Sequence, residues 1–275
     1  MTRLMEEVNA MSAKLEFAGG STIGRDHRLV GRNNQDAWTI LQDDELTIGV
    51  VADGCGSGAF SEVGSRLGIR IFAETIRDSY FDGSTREVNW PRVQQHTLSQ
   101  FDMLARSMGD SYRKVIEEHF LFTLIGFVID ARQAIFFALG DGTIIINDEV
   151  IELGPFPGNA PPYLGYGLIK ELVTVDPALL NVAVVATLPI DALESFLLAT
   201  DGVDDFVARE EMMVPGHNEQ VGPLSQFYRQ DRFFVNSELV SRRLKLVSRD
   251  WPVHQPQPGL LHDDTTLIVG RRISS

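Results

Sequence analysis

Thr47-Ile-Gly-Val-Val-Ala-Asp-Gly-Cys-Gly-Ser-Gly58 carries one carboxylate, Asp53, out of an apolar run and into a glycine-rich loop. Ile48 to Ala52 has the length and composition of a buried strand, and the turn dipeptide Asp53-Gly54 stops it. A helix is expected next, with Ser61 as its N-cap and Leu67, Ile71, Phe72 and Ile76 at helical spacing. A tight hairpin at Asp53-Gly54 would need a returning strand at once, and none follows. Gly54-x-Gly56-x-x-Ala59 fits a dinucleotide-binding turn loosely, but Asp53 would then face the pyrophosphate, and no acid-terminated apolar strand lies between Ser79 and Trp90. A Walker-type phosphate loop is excluded by the lack of a Lys after the glycines.

Outward from this stretch, Leu15 to Ile23 and Ala37 to Leu41 read as strands on either side of a polar loop, Gly24 to Asp36, that contains Arg32, Gln35 and Asp36. Pro91 to His119 reads as one long helix, with Val93, Thr97, Phe101, Leu104, Met108, Tyr112 and Val115 along a core-facing stripe. Leu121 to Ile129, Ala134 to Leu139, Thr143 to Ile146 and Val150 to Leu153 are apolar runs separated only by turns, which predicts an antiparallel meander rather than alternating strand and helix. Gly154 to Gly167 is a Pro- and Gly-rich loop; Lys170 to Val175, Val182 to Thr187 and Ser195 to Thr200 resume the strands. Asn236 to Val247 is a further helix, capped by Asn236 or Ser237, and Thr266 to Val269 a last strand.

Three apolar strands end in Asp, at Asp53, Asp141 and Asp201, and a fourth begins just after Asp263 and Asp264. In an antiparallel sheet the start of one strand lies beside the ends of its neighbours, so these carboxylates are expected to share one rim. Like charges so placed must take up a proton or a cation. With few His and a single Cys, oxygen donors of this kind suit Mg2+ or Mn2+ better than zinc. Asp141-Gly142 also reads as an ordinary hairpin turn into Thr143.

The bulk properties narrow the classes. The chain has 275 residues, 44% of them hydrophobic, enough for one large core; residues 1–14 are read as a tail and 15–275 as a single domain. A net charge of -14 argues against nucleic acid or an anionic membrane as partner. One cysteine, Cys55, rules out an internal disulfide and a cysteine-based zinc site, and no run of about 18 apolar residues occurs, so a soluble cytoplasmic protein is expected.

Arg32-x-Asn34-Gln35-Asp36-Ala37, Val51-Ala-Asp-Gly-x-Gly-Ser57, Gly140-Asp141-Gly142, Ala199-Thr-Asp-Gly-Val-x-Asp205 and Asp263-Asp-x-Thr266 resemble, in that order, the motifs of the metal-dependent protein phosphatase 2C family, bacterial type. The resemblance implies an α+β fold, a four-layer α-β-β-α sandwich of two antiparallel sheets flanked by helices, with two Mn2+ or Mg2+ ions at one end. By position it implies that Asp53 bridges both ions, that the Gly54 carbonyl binds one, and that Asp201 and Asp263 hold the second. Asp36 would orient water, Arg32 would grip the phosphate, and Asp141 and Asp205 match a third, weaker metal position of some members. The Gly154 to Gly167 loop falls where the family has its flap. Two departures stand out: Gln35 replaces the usual Glu, leaving a neutral oxygen ligand, and Cys55 stands where many eukaryotic members have His. The expected function is hydrolysis of phosphoserine or phosphothreonine on a protein substrate by a metal-bridging hydroxide. A non-catalytic phosphatase-like module that binds a phosphorylated partner and a small phosphoester hydrolase remain as alternatives.

Overall fold

The computed structural model describes residues 15 to 273 except 83–84, 110, 173–174, 237 and 252–255. The tail expected over residues 1–14, residues 173–174 of the strand expected over Lys170 to Val175, and the proposed Ser237 cap lie outside the described residues. Ten strands are described: β1 (Leu15–Thr22), β2 (Ala37–Gln42), β3 (Thr47–Ala52), β4 (Leu124–Ile129), β5 (Gln133–Leu139), β6 (Gly142–Ile146), β7 (Glu149–Leu153), β8 (Ala183–Pro189), β9 (Ser195–Ala199) and β10 (Thr265–Arg272). They form two antiparallel sheets, ordered β2-β3-β4-β5-β8 and β1-β10-β9-β6-β7. The helices are α1 (Arg25–Leu29), α2 (Ser61–Asp82), α3 (Trp90–Ser107), α4 (Tyr112–His119), α5 (Val203–Val207), α6 (Gln226–Arg229), α7 (Arg232–Val235) and α8 (Leu239–Ser248).

The layering follows from which faces are apolar. β3 and β4 are buried at every position, the pattern of strands covered on both faces. On one side Phe72 and Ile76 of α2 and Val93 and Phe101 of α3 pack against Ile48, Val50 and Phe137. On the other side of the sandwich Val240 and Leu244 of α8 pack with Leu197, Leu267 and Val269. Between the sheets Phe196 meets Phe127 at 4.8 Å and Phe136 at 5.3 Å between ring centroids, both edge-on, alongside Ile125 and Ile268. Burying each such ring contributes roughly 1.5–3 kcal/mol, so the inter-sheet layer fixes how the two sheets face each other. The four-layer α-β-β-α sandwich is therefore what these residues build.

Four local expectations are corrected. The long helix is broken into α3 and α4: Met108 caps the first by donating to the Ala105 carbonyl, and Gly109 at φ +76° turns the chain out of helical space. The polar loop contains α1, a helix with no buried residue and hence no apolar signal. Lys170–Leu172 forms a 3-10 turn rather than a strand. Ser61, expected as the N-cap, is the first helical residue of α2. No helix among the described residues is long and apolar enough to cross a membrane.

Register places the acidic residues. Ala37 pairs with Ala52, so Asp36 before β2 and Asp53 after β3 emerge side by side. Thr265 pairs with Thr22 and Leu267 with Ala199, which brings Asp263 and Asp264 beside Asp201 and Gly24. Thr143 pairs with Ala199, so Asp141 meets the same end. The rim is thus shared by two sheets, not one: Asp36 and Asp53 come from the first, Asp201 and Asp263 from the second, and Asp141 sits where the chain crosses between them.

A candidate metal centre at the rim of the sandwich

Asp36 is 2% exposed; its Oδ2 accepts a hydrogen bond from Thr200 Oγ1 at 2.8 Å, and its Oδ1 has no hydrogen-bond partner among the described residues. Because Thr200 directly follows β9 and Asp36 precedes β2, this bond ties the two sheets together at their rim. Asp53 is positioned by its backbone: its amide donates to Thr123 Oγ1 at 3.0 Å, and its carbonyl accepts from the Thr123 amide at 2.8 Å. Gly54 follows at a close approach, where an added Cβ would fall 2.7 Å from the Gln35 carbonyl oxygen.

The electrostatics show how tightly the group is gathered. Burial pushes Asp36 well up, and the charge of Asp264 adds to it, while the bond from Thr200 works the other way. Burial pushes Asp53 well up as well, followed by the charges of Asp36, Asp201 and Asp263. Asp201 is raised to about 7 by burial and then by Asp141, Asp263 and Asp204. Burial likewise raises Asp141, and it raises Asp263, whose carboxyl is crowded although the residue stands at the exposed mouth. Carboxyl groups at five positions therefore resist ionisation together, which is the condition a bound cation relieves.

The residues fit such a cation. Among the described residues the buried side-chain oxygens without partners are Asp36 Oδ1, Asp141 Oδ1 and Gln35 Oε1, and all are hard donors suited to Mg2+ or Mn2+. The Gln35 amide is oriented by its own donors, since Nε2 bonds Ser61 Oγ at 2.6 Å and the Gly58 carbonyl at 3.2 Å. Ligand atoms of His27, Asp263 and Asp264 also lie within 4.8 Å of one another. Asp264, however, is already committed: Oδ1 accepts from the Gly24 amide at 2.7 Å, and Oδ2 from the Gln35 amide at 2.6 Å, with His27 Nδ1 at 2.9 Å. Asp264 is therefore the brace of the loop that carries Gln35 and Asp36, and it lifts the His27 ring above its ordinary value through that hydrogen bond.

Of the other expected site residues, Arg32 is exposed and donates to the Gly56 carbonyl, which holds the guanidinium over the glycine loop; among the described residues it forms no ion pair. Asp205 is engaged, by Arg209 and by the His262 amide at 2.6 Å. Cys55 Sγ lies 3.2 Å from Ser57 Oγ, with no base beside it among its hydrogen-bond partners. The expected flap loop packs inward through Tyr163 and Leu164, and burial next to Cys55 raises the Tyr163 hydroxyl. Sequence reasoning missed Thr200 and Asp264 as braces, although each is adjacent to a residue it selected.

The profile of the protein phosphatase 2C family matches residues 23–241. No curated protein sequence matches the chain significantly. A crystal structure of a bacterial serine phosphatase superposes with a TM-score of 0.51 at 13% identity, covering 96% of this chain and 99% of its own. The Mycobacterium tuberculosis serine/threonine phosphatase PstP/Ppp gives 0.51 at 16% identity, with 94% and 99% covered. The serine/threonine phosphatase Stp1 from Staphylococcus aureus gives 0.51 at 15% identity, with 96% and 97% covered. These likenesses bear on the fold, and the profile match, which runs through Asp36, Asp53, Asp141 and Asp201, places this chain in the protein phosphatase 2C family.

Proposed function

We propose that the protein is a metal-dependent serine/threonine phosphoprotein phosphatase whose single catalytic domain spans residues 15–275 and acts on a cytoplasmic phosphoprotein. The observation that carries this reading is the meeting of Asp36, Asp53, Asp141, Asp201 and Asp263 at one rim, with buried acceptor atoms left unpartnered. Asp53, the Gly54 carbonyl, Asp201 and Asp263 would hold two Mn2+ or Mg2+ ions. When bound, the ions would acidify water and neutralise charge growing on the phosphoryl oxygens. A third ion at Asp141 would gain Asp205 as ligand only if that carboxylate left Arg209 and the His262 amide.

The chain's own groups divide the remaining work. Thr200 fixes one oxygen of Asp36, which leaves Oδ1 free to accept a proton from the attacking water. Gln35 Oε1, held by the Ser61 and Gly58 contacts of its amide nitrogen, supplies a second acceptor without adding charge. Arg32, steadied by the Gly56 carbonyl, presents a planar donor fork to the phosphate oxygens. Replacing Asp53 by Asn is expected to abolish Mn2+-dependent hydrolysis of both p-nitrophenyl phosphate and a phosphothreonine peptide while circular dichroism stays native. Undiminished turnover in that variant overturns the assignment, and tight peptide binding by a wild-type protein that never turns over would favour a binding module instead.

A further inference from the structure

Beside the carboxylate rim runs an open groove of about 700 Å³ that starts at Asp36 and passes between β2 and α2. Its apolar walls are Trp38, Val63 and Leu67, which are 37%, 49% and 39% exposed. Trp38 is set in place by packing: its ring lies over Gly19, where an added Cβ would sit 2.8 Å from the ring carbons. Arg66 and Arg70, one helical turn apart on α2, line the same groove and are exposed.

Acidic residues outnumber Lys and Arg by 38 to 24, and most described arginines are paired, including Arg77 on the same helix with Glu74. Among the described residues neither Arg66 nor Arg70 forms an ion pair; Arg66 reaches only the Asn34 carbonyl, at 3.4 Å. Glu62, one turn before Arg66, accepts from Asn33 Nδ2 at 2.8 Å instead. Two like charges at i and i+4 oppose each other on a helix, so the pair lacks a structural reason and suits an incoming anion. The Asn34 contact also sets Arg66 two residues from Asp36, next to the reacting centre.

We propose that this groove selects substrates whose phosphorylated residue is flanked by an acidic and an apolar side chain, the carboxylate held by Arg66 and Arg70 and the apolar group lying against Trp38, Val63 and Leu67. The proposal rests on the phosphatase reading of the rim and adds a substrate class to it. The occupant is a peptide segment and not a second copy of the chain, because a net charge of -14 on each copy opposes self-association.

The test compares wild type with Arg66→Ala/Arg70→Ala in Mn2+ on p-nitrophenyl phosphate and on matched phosphothreonine peptides flanked by Glu-Leu or Lys-Leu. The double variant is expected to hydrolyse p-nitrophenyl phosphate as wild type does and to lose about tenfold in kcat/KM on the Glu peptide only, while Arg66→Glu/Arg70→Glu prefers the Lys peptide. An unchanged Glu preference in the double variant, with Mn2+-dependent activity present, overturns the groove and leaves the phosphatase standing. Fluorescence anisotropy of the labelled peptides on Asp53→Asn, with and without the two Ala substitutions, separates the converse case. Weaker Glu-peptide binding on loss of the arginines, in a protein whose wild type shows no hydrolysis, keeps the groove and discards the phosphatase. Altered sedimentation without any change in peptide binding assigns the groove to self-association and overturns the proposal.

Discussion

In the absence of metal the protein is expected to lose stability as pH rises, and Asp201 gives the scale. Its folded-state pKa is raised from 3.8 to about 7, chiefly by burial and then by Asp141 and Asp263. Between those values the native state holds a proton that the unfolded chain has released, so the unfolding free energy decreases with pH across roughly pH 4 to 7 and levels off above. The span corresponds to at most about 4 kcal/mol, reduced by the partial exposure of Asp201. Asp36 and Asp53, raised in the same direction, steepen the fall.

Saturating Mn2+ is expected to reverse the effect. Binding to the native state at about 100 times Kd adds about 2.7 kcal/mol, which for a domain of this size is a Tm increase of roughly 5–10 °C. Differential scanning fluorimetry at pH 5 and pH 7.5, with EDTA or Mn2+, reads both arms. Asp201→Asn in EDTA is expected to be more stable than wild type at pH 7.5, to keep only the part of the pH slope that Asp36 and Asp53 supply, and to respond weakly to Mn2+. A metal-free Tm that is flat or rises from pH 5 to 7.5, together with no shift on adding Mn2+, would refute the reasoning.

Asp264→Ala strips the acceptors from the buried Gly24 and Gln35 amides and is expected to cost about 2–5 kcal/mol in urea denaturation, with Asp264→Asn recovering part of it. Thr200→Val removes the hydrogen bond that favours ionised Asp36, so the acidic limb of kcat/KM in Mn2+ should move to higher pH; an unmoved limb means Asp36 is not the titrating group. Cys55→Ser should retain activity within about twofold, since the thiol's neighbours are the hydroxyls of Ser57 and Tyr163 and neither is a base that would activate it; total loss would point to the thiol as a nucleophile.

What could be read in the sequence was whatever depends on short range. Asp53 announces itself because an apolar strand ends on it at a turn, and the meander from β4 to β7 is visible because its strands are separated only by turns. The break after α3 was hidden because Met108 and Tyr112 continue the helical spacing, while Gly109, at φ +76°, redirects the backbone. Helix α1 was hidden for a different reason: its first amides, of Arg25 and Asp26, donate to the carbonyls of Leu261 and His262, so it is held from a distant loop and not by a buried face of its own. Asp263 and Asp264 look alike in sequence. Only chain closure over 229 residues makes one the brace of Gln35 and leaves the other at the mouth.

That division between the sheets carries a consequence for how site and fold depend on each other. A rim built within one sheet would be held by its own backbone ladder, whereas here Asp36 and Asp53 face Asp201 and Asp263 across the inter-sheet core. Packing of Phe196 against Phe127 and Phe136 sets the spacing, and the Thr200–Asp36 and Asp264–Gln35 bonds close it at the edge. Carboxylate repulsion pushes the sheets apart at the same edge, so the braces and any cation bound there would act on one coordinate. Loss of Thr200 or Asp264 should therefore weaken Mn2+ affinity and lower metal-free stability together, even though neither residue is proposed to touch the metal, whereas a substitution such as Arg32→Ala should change turnover and leave both unaltered.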